Sequence, residues 1–372
     1  MIRFKDIKNH LIEQGRSLDK GIMSGAFLLL FFGVFLTLAA SPAVAARNHW
    51  SWSYFIIKHM FFVPIAAGVL MGVALLPLRW VRRLAFLILM AGLVGMLLVF
   101  LGPEIKGSRR WVNVLGISLQ PSEFVKPAFA VICGWFLAKS RLIKHSHTGV
   151  LAWGLFLFIA VLLLLQPDVG MTFTLAAIFG VELFLTGLSM WIVGALVLGG
   201  VGLFTFSFFM FDHVHSRVLK FLNPQEGENF QVEKSLKTLS RAGWLGRGPG
   251  EGSVKYELPD AHTDFIMAVS AEEFGFILTL IVMMTFAFLV LRSCWLIRRE
   301  NNFFAQVAVG GLMTQITIQS LVNMASTLNL IPTKGMTLPF ISYGGSSLVS
   351  VALAFGFILA LTHGHTLSRG LE

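Results

Sequence analysis

The sequence predicts an all-α polytopic membrane protein, with about ten transmembrane helices and a large outer loop between the seventh and the eighth. Hydrophobic residues make up 56% of the 372 residues and charged residues only 13%, whereas soluble domains carry about 25% charged residues. The apolar residues also recur in runs of about 20, the length that spans a bilayer as a helix. The longest polar stretch is too short for an ordinary soluble domain. A single transmembrane domain over residues 1–372 is therefore expected.

The predicted elements follow the apolar runs in order. Residues 1–21 have mixed charge and are predicted to form a cytoplasmic segment on the inner membrane surface. The loop 212–263 is the longest connection, and loops of that length are usually functional or disordered. The spans are predicted at 22–40, 60–78, 84–102, 123–139, 149–166, 169–188, 190–211, 264–292, 304–326 and 344–363.

Basic residues indicate how the spans are oriented. The net charge of +10 would suggest nucleic acid binding in a soluble protein, but no aromatic-basic module is present, so no nucleic acid partner is expected. In membrane proteins Lys and Arg accumulate in cytoplasmic loops. Both termini are therefore predicted to be cytoplasmic and the loop 212–263 periplasmic. The clusters behind this prediction are Arg79, Arg82, Arg83, Lys139, Arg141, Lys144, Arg292, Arg298 and Arg299.

The outer loop 103–122 departs from this charge rule because it carries Lys106, Arg109 and Arg110. Two interpretations stay open. The arginine side chains can extend to lipid headgroups. Alternatively, their guanidinium groups can hold a phosphate with paired hydrogen bonds, which makes an anionic lipid headgroup a reasonable ligand.

Asp264 lies where the eighth span enters the membrane, directly after His262 and Thr263. One interpretation is a helix cap, because Asp is favoured at N-caps and suits the positive end of a helix. The other is a general base at the outer interface, since a carboxylate within hydrogen-bond reach of a hydroxyl can accept its proton. The two interpretations are compatible with each other.

Several other acidic and basic residues lie inside predicted spans, where a charge is costly and marks a candidate functional site. Glu123 and Lys126 open the fourth span at a spacing of three residues, so they can pair on one helix face. Glu272 is about 80° around a helix from Asp264, nearer its face than Glu273 is. Glu182 is predicted to be structural.

Three further features have ordinary explanations beside functional ones. Asp168, in the turn Gln166-Pro167-Asp168-Val169-Gly170, is typical of tight turns. The Gly-rich run 243–252 can present backbone N–H groups to a phosphate, but a flexible hinge is the simpler interpretation. His213, His215 and His262 lack the spacing of a catalytic zinc site, which usually has three protein ligands. No metal site is predicted, although a divalent cation stays open.

Together these residues resemble the SEDS family (shape, elongation, division and sporulation proteins) over nearly the whole chain, and its division branch more than its elongation branch. Several independent blocks in one order carry the resemblance. They are Gly107-Ser108-Arg109-Arg110-Trp111, Gln120-Pro121-Ser122-Glu123-Phe124-Val125-Lys126, Gln166-Pro167-Asp168-Val169-Gly170, residues 246–275, and Pro332-Thr333-Lys334-Gly335-Met336-Thr337-Leu338-Pro339-Phe340-Ile341-Ser342-Tyr343-Gly344-Gly345-Ser346-Ser347.

The resemblance implies a peptidoglycan glycosyltransferase of the bacterial inner membrane that polymerises lipid II at the division septum. It implies a class B penicillin-binding transpeptidase and other division proteins as partners, besides membrane lipids. Asp264 would be the general base of an inverting transfer in which undecaprenyl pyrophosphate leaves, with no other cofactor required. The residues expected to bind substrate are Arg109, Arg110, Glu123, Lys126, Asp168, His262, Glu272, Lys334 and Ser342.

Two alternatives stay open from the sequence. A lipid II flippase would use Glu123, Lys126 and Glu272 to line a translocation path, although no inverted repeat of the transporter type is evident. A non-catalytic scaffold for division proteins would not need the carboxylate of Asp264.

Overall fold

The predicted spans correspond to ten α-helices of 17 residues or more in the described part of the chain. The computed structural model describes residues 18–102, 109–114, 117–143, 146–188, 190–211, 214–216, 218–219, 243–256, 258, 260–328, 330–331 and 335–362. Most of the predicted N-terminal segment, much of the loop 212–263, Lys106, Lys144, His213 and Lys334 lie outside these residues. The helices are α1 (Lys20–Arg47), α2 (Tyr54–Ala74), α3 (Leu78–Leu98), α4 (Pro121–Leu142), α5 (Thr148–Leu165), α6 (Val169–Leu185), α7 (Met190–Met210), α8 (Ile266–Arg299), α9 (Phe303–Thr327) and α10 (Gly345–Leu361).

The helices differ in length, in apolar character and in how far their side chains are buried. Among the described residues, α1, α2, α5, α8, and α3 with its short 3₁₀ extension to Leu101 are long and apolar enough to cross a membrane. The apolar helices α6 and α10 are shorter. α4 carries charges within its length, but most of its side chains are buried against neighbouring helices. The chain is therefore a multi-pass membrane protein.

Two helices begin before their predicted limits. α2 and α3 begin at Tyr54 and Leu78, ahead of the predicted 60 and 84. The first turns of α3 contain Arg79, Arg82 and Arg83, and hydropathy alone excludes them from a span. In the structure the Arg82 guanidinium lies over the ring of Trp135, 5.3 Å from its centroid. This contact gives a charged side chain of the first turns a partner on α4.

α1 also extends beyond its prediction, from 22–40 to Lys20–Arg47. It begins at Asp19, whose side chain accepts a hydrogen bond from the Ile22 N–H (2.9 Å), as N-cap residues do. Pro42 lies within the helix without ending it. α8 ends at Arg299, seven residues beyond its predicted limit of 292. The remaining helices match their predicted ranges within a few residues.

A short β-hairpin in the outer loop was not predicted. Strands β1 (Val112–Val114) and β2 (Ile117–Leu119) pair antiparallel, with Val112 opposite Leu119. The strands are too short to give a readable alternation of polar and apolar residues. The hairpin leads directly into α4, whose first residues are buried.

The centre of the bundle is formed by α4, α9 and α10. α10 packs along α2 and α4, while α9 packs against α4, α6 and α8. α10 is buried along nearly its whole length. One end of the bundle is termed the site end. It contains the C-terminal end of α1 and the N-terminal ends of α2, α4, α6, α8 and α10. The other end carries the basic clusters of α3, α4 and α8.

Candidate active site

The Asp264 turn, residues 260–265, brings the main candidate to the site end. The N–H groups of Thr263, Asp264 and Phe265 all point at the carbonyl oxygen of Asp260, at 3.1 to 3.3 Å. α8 begins at Ile266, and the N-cap position is held by Phe265. Asp264 is thus one residue before the cap position and belongs to a tight turn. Its side chain is half-buried.

A second irregular segment, the re-entrant loop (residues 335–344), lies beside this turn. Gly335 has a left-handed backbone with φ of 66°, and a Cβ built there would lie 3.6 Å from Oδ2 of Asp264. Gly33, in the middle of α1, leaves room for the carbonyl of Phe340, which any Cβ at 33 would overlap. The loop therefore passes inside the bundle, where irregular backbone is tolerated because protein surrounds it.

Hydrogen bonds join the turn to its surroundings at three consecutive carbonyls. The Tyr343 N–H donates to the carbonyl of His262 (2.9 Å). The Ser342 hydroxyl donates to the carbonyl of Thr263 (2.5 Å) and accepts from the Leu338 N–H (2.9 Å). Asn323 donates to the carbonyl of Asp264 (3.2 Å). Ser342 thus ties the loop to the turn, and Asn323 is a participant that the sequence analysis missed.

His262 is part of an aromatic cluster rather than an open surface. Its ring centroid lies 4.5 Å from that of Phe55 and 5.1 Å from that of Tyr343. Burial lowers the pKa of His262 to about 4, an effect that the carboxylate of Asp260 opposes only in part. The imidazole is therefore neutral at physiological pH. Burial likewise raises the pKa of Tyr343 to about 12.

Glu123 and Lys126 form the ion pair that their spacing predicted. The Lys126 ammonium lies 3.1 Å from both carboxylate oxygens, and the two side chains are buried in the first turns of α4. The Ser350 hydroxyl of α10 donates to the Glu123 carbonyl (2.6 Å). The pair thus lies at the site end, on the helix that packs against α10.

Arg110 and Asp168, both predicted to bind substrate, bind each other. Arg110 Nε is 3.4 Å from Asp168 Oδ2, and Nη2 donates to the carbonyl of Pro167 (2.7 Å). Asp168 also caps α6 by accepting from the Met171 N–H (3.2 Å). This is the turn chemistry that the sequence suggested for Asp168. Arg109 is exposed and donates to the carbonyl of Phe100 (3.2 Å).

Glu272 contacts the Gly-rich run. The helix that carries it, α8, begins at Ile266, two residues after Asp264, and is broken at Gly275 (φ 81°, ψ −179°). Glu272 is fully buried and accepts hydrogen bonds from the N–H (3.1 Å) and hydroxyl (3.4 Å) of Ser253. Its carboxylate thus holds the run in place.

The Gly-rich run is part of a segment, residues 243–256, that hydrogen-bonds to α8 and is termed the strap. The broken helix and the strap exchange four backbone hydrogen bonds: Phe276 N–H to Gly243, Ile277 N–H to Trp244, Arg247 N–H to Glu272 and Gly248 N–H to Glu273. Lys255 closes the strap by donating to Glu273 (2.6 Å) and to the carbonyl of Ala39 in α1 (3.2 Å). The N–H groups of Arg247, Gly248, Gly250 and Ser253 in the strap all donate to residues of α8.

The described residues contain no group of three His, Cys, Asp or Glu side chains close enough to hold a metal ion. The structure brings three features together at this site: the Asp264 turn, the re-entrant loop and the aromatic cluster around His262. Glu123 and Lys126 pair at the start of α4, at the same end of the bundle, where Arg110 pairs with Asp168 and Glu272 binds the strap.

Comparisons with known proteins agree with this architecture. Residues 20–367 match a family model named for FtsW, RodA and SpoVE and described as "Cell cycle protein". The "Probable peptidoglycan glycosyltransferase FtsW" of Caulobacter vibrioides is 42% identical over 349 residues, covering 92% of this chain and 88% of that protein. The protein of the same name from Geobacter sulfurreducens is 34% identical over 353 residues, covering 92% of this chain and 95% of the relative.

Two solved structures share the fold. One is described as "Structural coordination of polymerization and crosslinking by a peptidoglycan synthase complex", with a TM-score of 0.76, 25% identity, and coverage of 94% of this chain and 99% of that chain. The other is the rod shape determining protein RodA of Thermus thermophilus, with a TM-score of 0.68, 23% identity, and coverage of 93% and 96%.

Proposed function

Because the chain belongs to the FtsW, RodA and SpoVE family of cell cycle proteins, we propose that it is a peptidoglycan glycosyltransferase that polymerises lipid II during septal wall synthesis. The relatives named as FtsW glycosyltransferases match nearly the full length of this chain. The observation that supports a catalytic site most directly is Asp264, a half-buried carboxylate on a turn whose backbone is held on several sides.

Asp264 is the general base in this proposal. It removes the proton from the C4 hydroxyl of the acceptor sugar, the oxygen attacks the anomeric carbon of the donor chain, and undecaprenyl pyrophosphate leaves. One carboxylate is enough for this inverting displacement, because the leaving group is already an anion. No cofactor is needed for this step.

The cations at the site end differ in how they can stabilise the pyrophosphate. Preorganised positive charge near a leaving group lowers the barrier. Lys126 and Arg110 already bind Glu123 and Asp168, so each must share its charge with a carboxylate. Arg109 is exposed and donates to a backbone carbonyl, and it is a further candidate for a phosphate ligand. Lys334 is a further candidate from the sequence.

We place the protein in the bacterial inner membrane at the division septum, with the site end periplasmic and both termini cytoplasmic. The basic clusters at the opposite helix ends support this orientation. A class B penicillin-binding transpeptidase is the proposed partner, alongside other division proteins. A structural relative in which polymerization and crosslinking are coordinated within a synthase complex supports this pairing.

A polymerisation assay with labelled lipid II, with and without a co-purified transpeptidase, tests the proposal. Wild-type protein is expected to form glycan strands, and Asp264→Asn is expected to lose activity by about 10²–10⁴-fold, the usual contribution of a general base. Asp260→Asn is the matched control, because it removes a carboxylate from the same turn.

Normal polymer yield from Asp264→Asn would remove this residue from the mechanism. A flippase would instead move lipid II across vesicles in both the wild type and Asp264→Asn. A scaffold would support septation in depleted cells even with Asp264→Asn.

A further inference from the structure

Asn323 connects the two irregular segments that form the candidate site. It lies in α9, a regular helix (Phe303–Thr327), and only 2% of its surface is exposed. Its side-chain nitrogen donates to the carbonyl of Asp264 (3.2 Å) and to the carbonyl of Met336 (2.7 Å). One amide group therefore bridges the Asp264 turn and the re-entrant loop from a rigid helix.

The chemistry of this bridge requires an amide. Both partners are carbonyl oxygens, which only accept hydrogen bonds, so the NH₂ end of the side chain must face them. A carboxylate of the same size has no hydrogen to donate, and an aliphatic side chain has neither donor nor acceptor. Either replacement removes the donor from one buried and one partly buried carbonyl, which costs free energy.

The bond to Asp264 completes a series. The carbonyl of His262 is held by the Tyr343 N–H, that of Thr263 by the Ser342 hydroxyl, and that of Asp264 by Asn323. A carbonyl held in this way fixes the peptide plane that follows the Cα of Asp264, and thus the direction in which its side chain leaves the backbone.

The second bond acts on the surroundings of the carboxylate. Met336 follows Gly335, and a Cβ at Gly335 would lie 3.6 Å from Oδ2 of Asp264. By holding Met336, Asn323 sets the distance between this part of the loop and the carboxylate.

We propose that Asn323 is a positioning residue that orients the Asp264 carboxylate for proton abstraction and holds the re-entrant loop against it. Asn323 acts through the backbone and does not touch the sugar. Its catalytic meaning rests on the proposed function, whereas the bridge itself does not.

Amide hydrogen exchange of the full chain tests the bridge independently of activity. The Thr263, Asp264 and Phe265 N–H groups and those of Leu338 and Tyr343 are hydrogen-bonded within the two segments. Asn323→Leu is expected to speed exchange in residues 260–265 and 335–343 and to leave the strap unchanged. Gln319→Leu is the matched control, because Gln319 is a buried amide one turn away on α9.

Steady-state polymerisation then tests positioning. Because a misplacement of about 1 Å can cost about 10²-fold in rate, Asn323→Leu and Asn323→Asp are expected to lower kcat by about 10- to 100-fold while KM changes less than about threefold. Gln319→Leu is expected to retain wild-type kcat.

If Asn323→Leu does not fold, the pair Asn323→Gln and Asn323→Glu takes its place. The two side chains have the same length and differ in whether they can donate, so Gln is expected to retain more kcat than Glu.

Each outcome has a distinct meaning. No polymer from the wild type would overturn the proposed function. The hydrogen-exchange result would still test the Asn323 bridge in that case. Unchanged exchange in Asn323→Leu would overturn the bridge. Faster exchange with wild-type kcat would overturn the positioning role, as would equal activity of the Gln and Glu variants.

Discussion

Two carboxylates of one region show how surroundings decide a residue's role. Asp264 is half-buried in a turn before α8, whereas Glu272 is fully buried and accepts hydrogen bonds from Ser253. Both are acidic residues near one end of a span, so the sequence treated both as functional candidates. The two carboxylates differ in their contacts with residues that are distant in the sequence, and a local sequence pattern does not reveal such contacts.

His262 gives a pH prediction at this scale. Its pKa is lowered from 6.5 to about 4 by burial, so the folded state favours the neutral imidazole. The unfolded chain therefore binds the extra proton more readily between these two values. The contribution of His262 to the free energy of unfolding is therefore fully present above pH 6.5 and is lost as pH falls towards 4. The total loss is on the order of 3 kcal/mol.

Thermal unfolding of the wild type and His262→Phe between pH 7 and 4.5 measures this effect. Phenylalanine keeps a ring beside Phe55 and Tyr343 but has no proton to gain. The wild type is expected to lose Tm more steeply than the variant over this interval. Parallel Tm curves for the two proteins would show that His262 is not held neutral by the fold.

At the scale of elements, α8 depends on the strap. A helix broken at Gly275 leaves backbone N–H and C=O groups without helical partners, and unsatisfied groups of this kind are costly within a membrane. The strap supplies four of the missing bonds, and Lys255 pairs with the buried Glu273. Because Lys255 also donates to Ala39 of α1, the strap holds the N-terminal part of α8, which follows the Asp264 turn, to α1.

Gly275→Ala is expected to destabilise the protein, because φ of 81° is strained for Ala and the new Cβ would overlap the backbone of Trp244 and Gly246. A residue forced into such a region costs about 1–3 kcal/mol before any overlap is counted. The measurement is the free energy of unfolding in detergent.

Gly154→Ala in α5 is the matched control. No atom lies within 4 Å of a Cβ at Gly154, and Ala is favoured over Gly in a helix by about 1 kcal/mol. This variant is expected to be at least as stable as the wild type. An equally stable Gly275→Ala would mean that the break is not enforced at that residue.

On the scale of the whole molecule, the two ends of the bundle differ in chemistry. The site end holds the Asp264 turn, the re-entrant loop and the strap, while the opposite end carries the basic first turns of α3 and the basic last turns of α4 and α8. Arg292 near the end of α8 binds Asp19 at the start of α1 (2.7 Å). Basic residues are retained on the cytoplasmic side during insertion, so this asymmetry supports the proposed orientation.

Labelling with a membrane-impermeant maleimide tests the orientation in cells. In a chain carrying Cys133→Ala and Cys294→Ser, Leu245→Cys in the exposed part of the strap is expected to react from the periplasm. Arg299→Cys at the end of α8 is expected to react only after the inner membrane is permeabilised. The reverse pattern would place the Asp264 turn on the cytoplasmic side and contradict the proposed use of lipid II there.

The sequence by itself determined the class of fold, the approximate limits of the long helices in the described part of the chain, the Glu123–Lys126 pair and the turn around Asp168. These features are local: they follow from runs of apolar residues, spacings of three or four residues and turn chemistry. Only the tertiary structure decided that Arg110 binds Asp168, that Glu272 and Glu273 hold the strap, and that Asn323 and Ser342 hold the Asp264 turn. Those contacts join residues far apart in the chain, and in a bundle of similar apolar helices it is packing, not local pattern, that selects which polar groups meet.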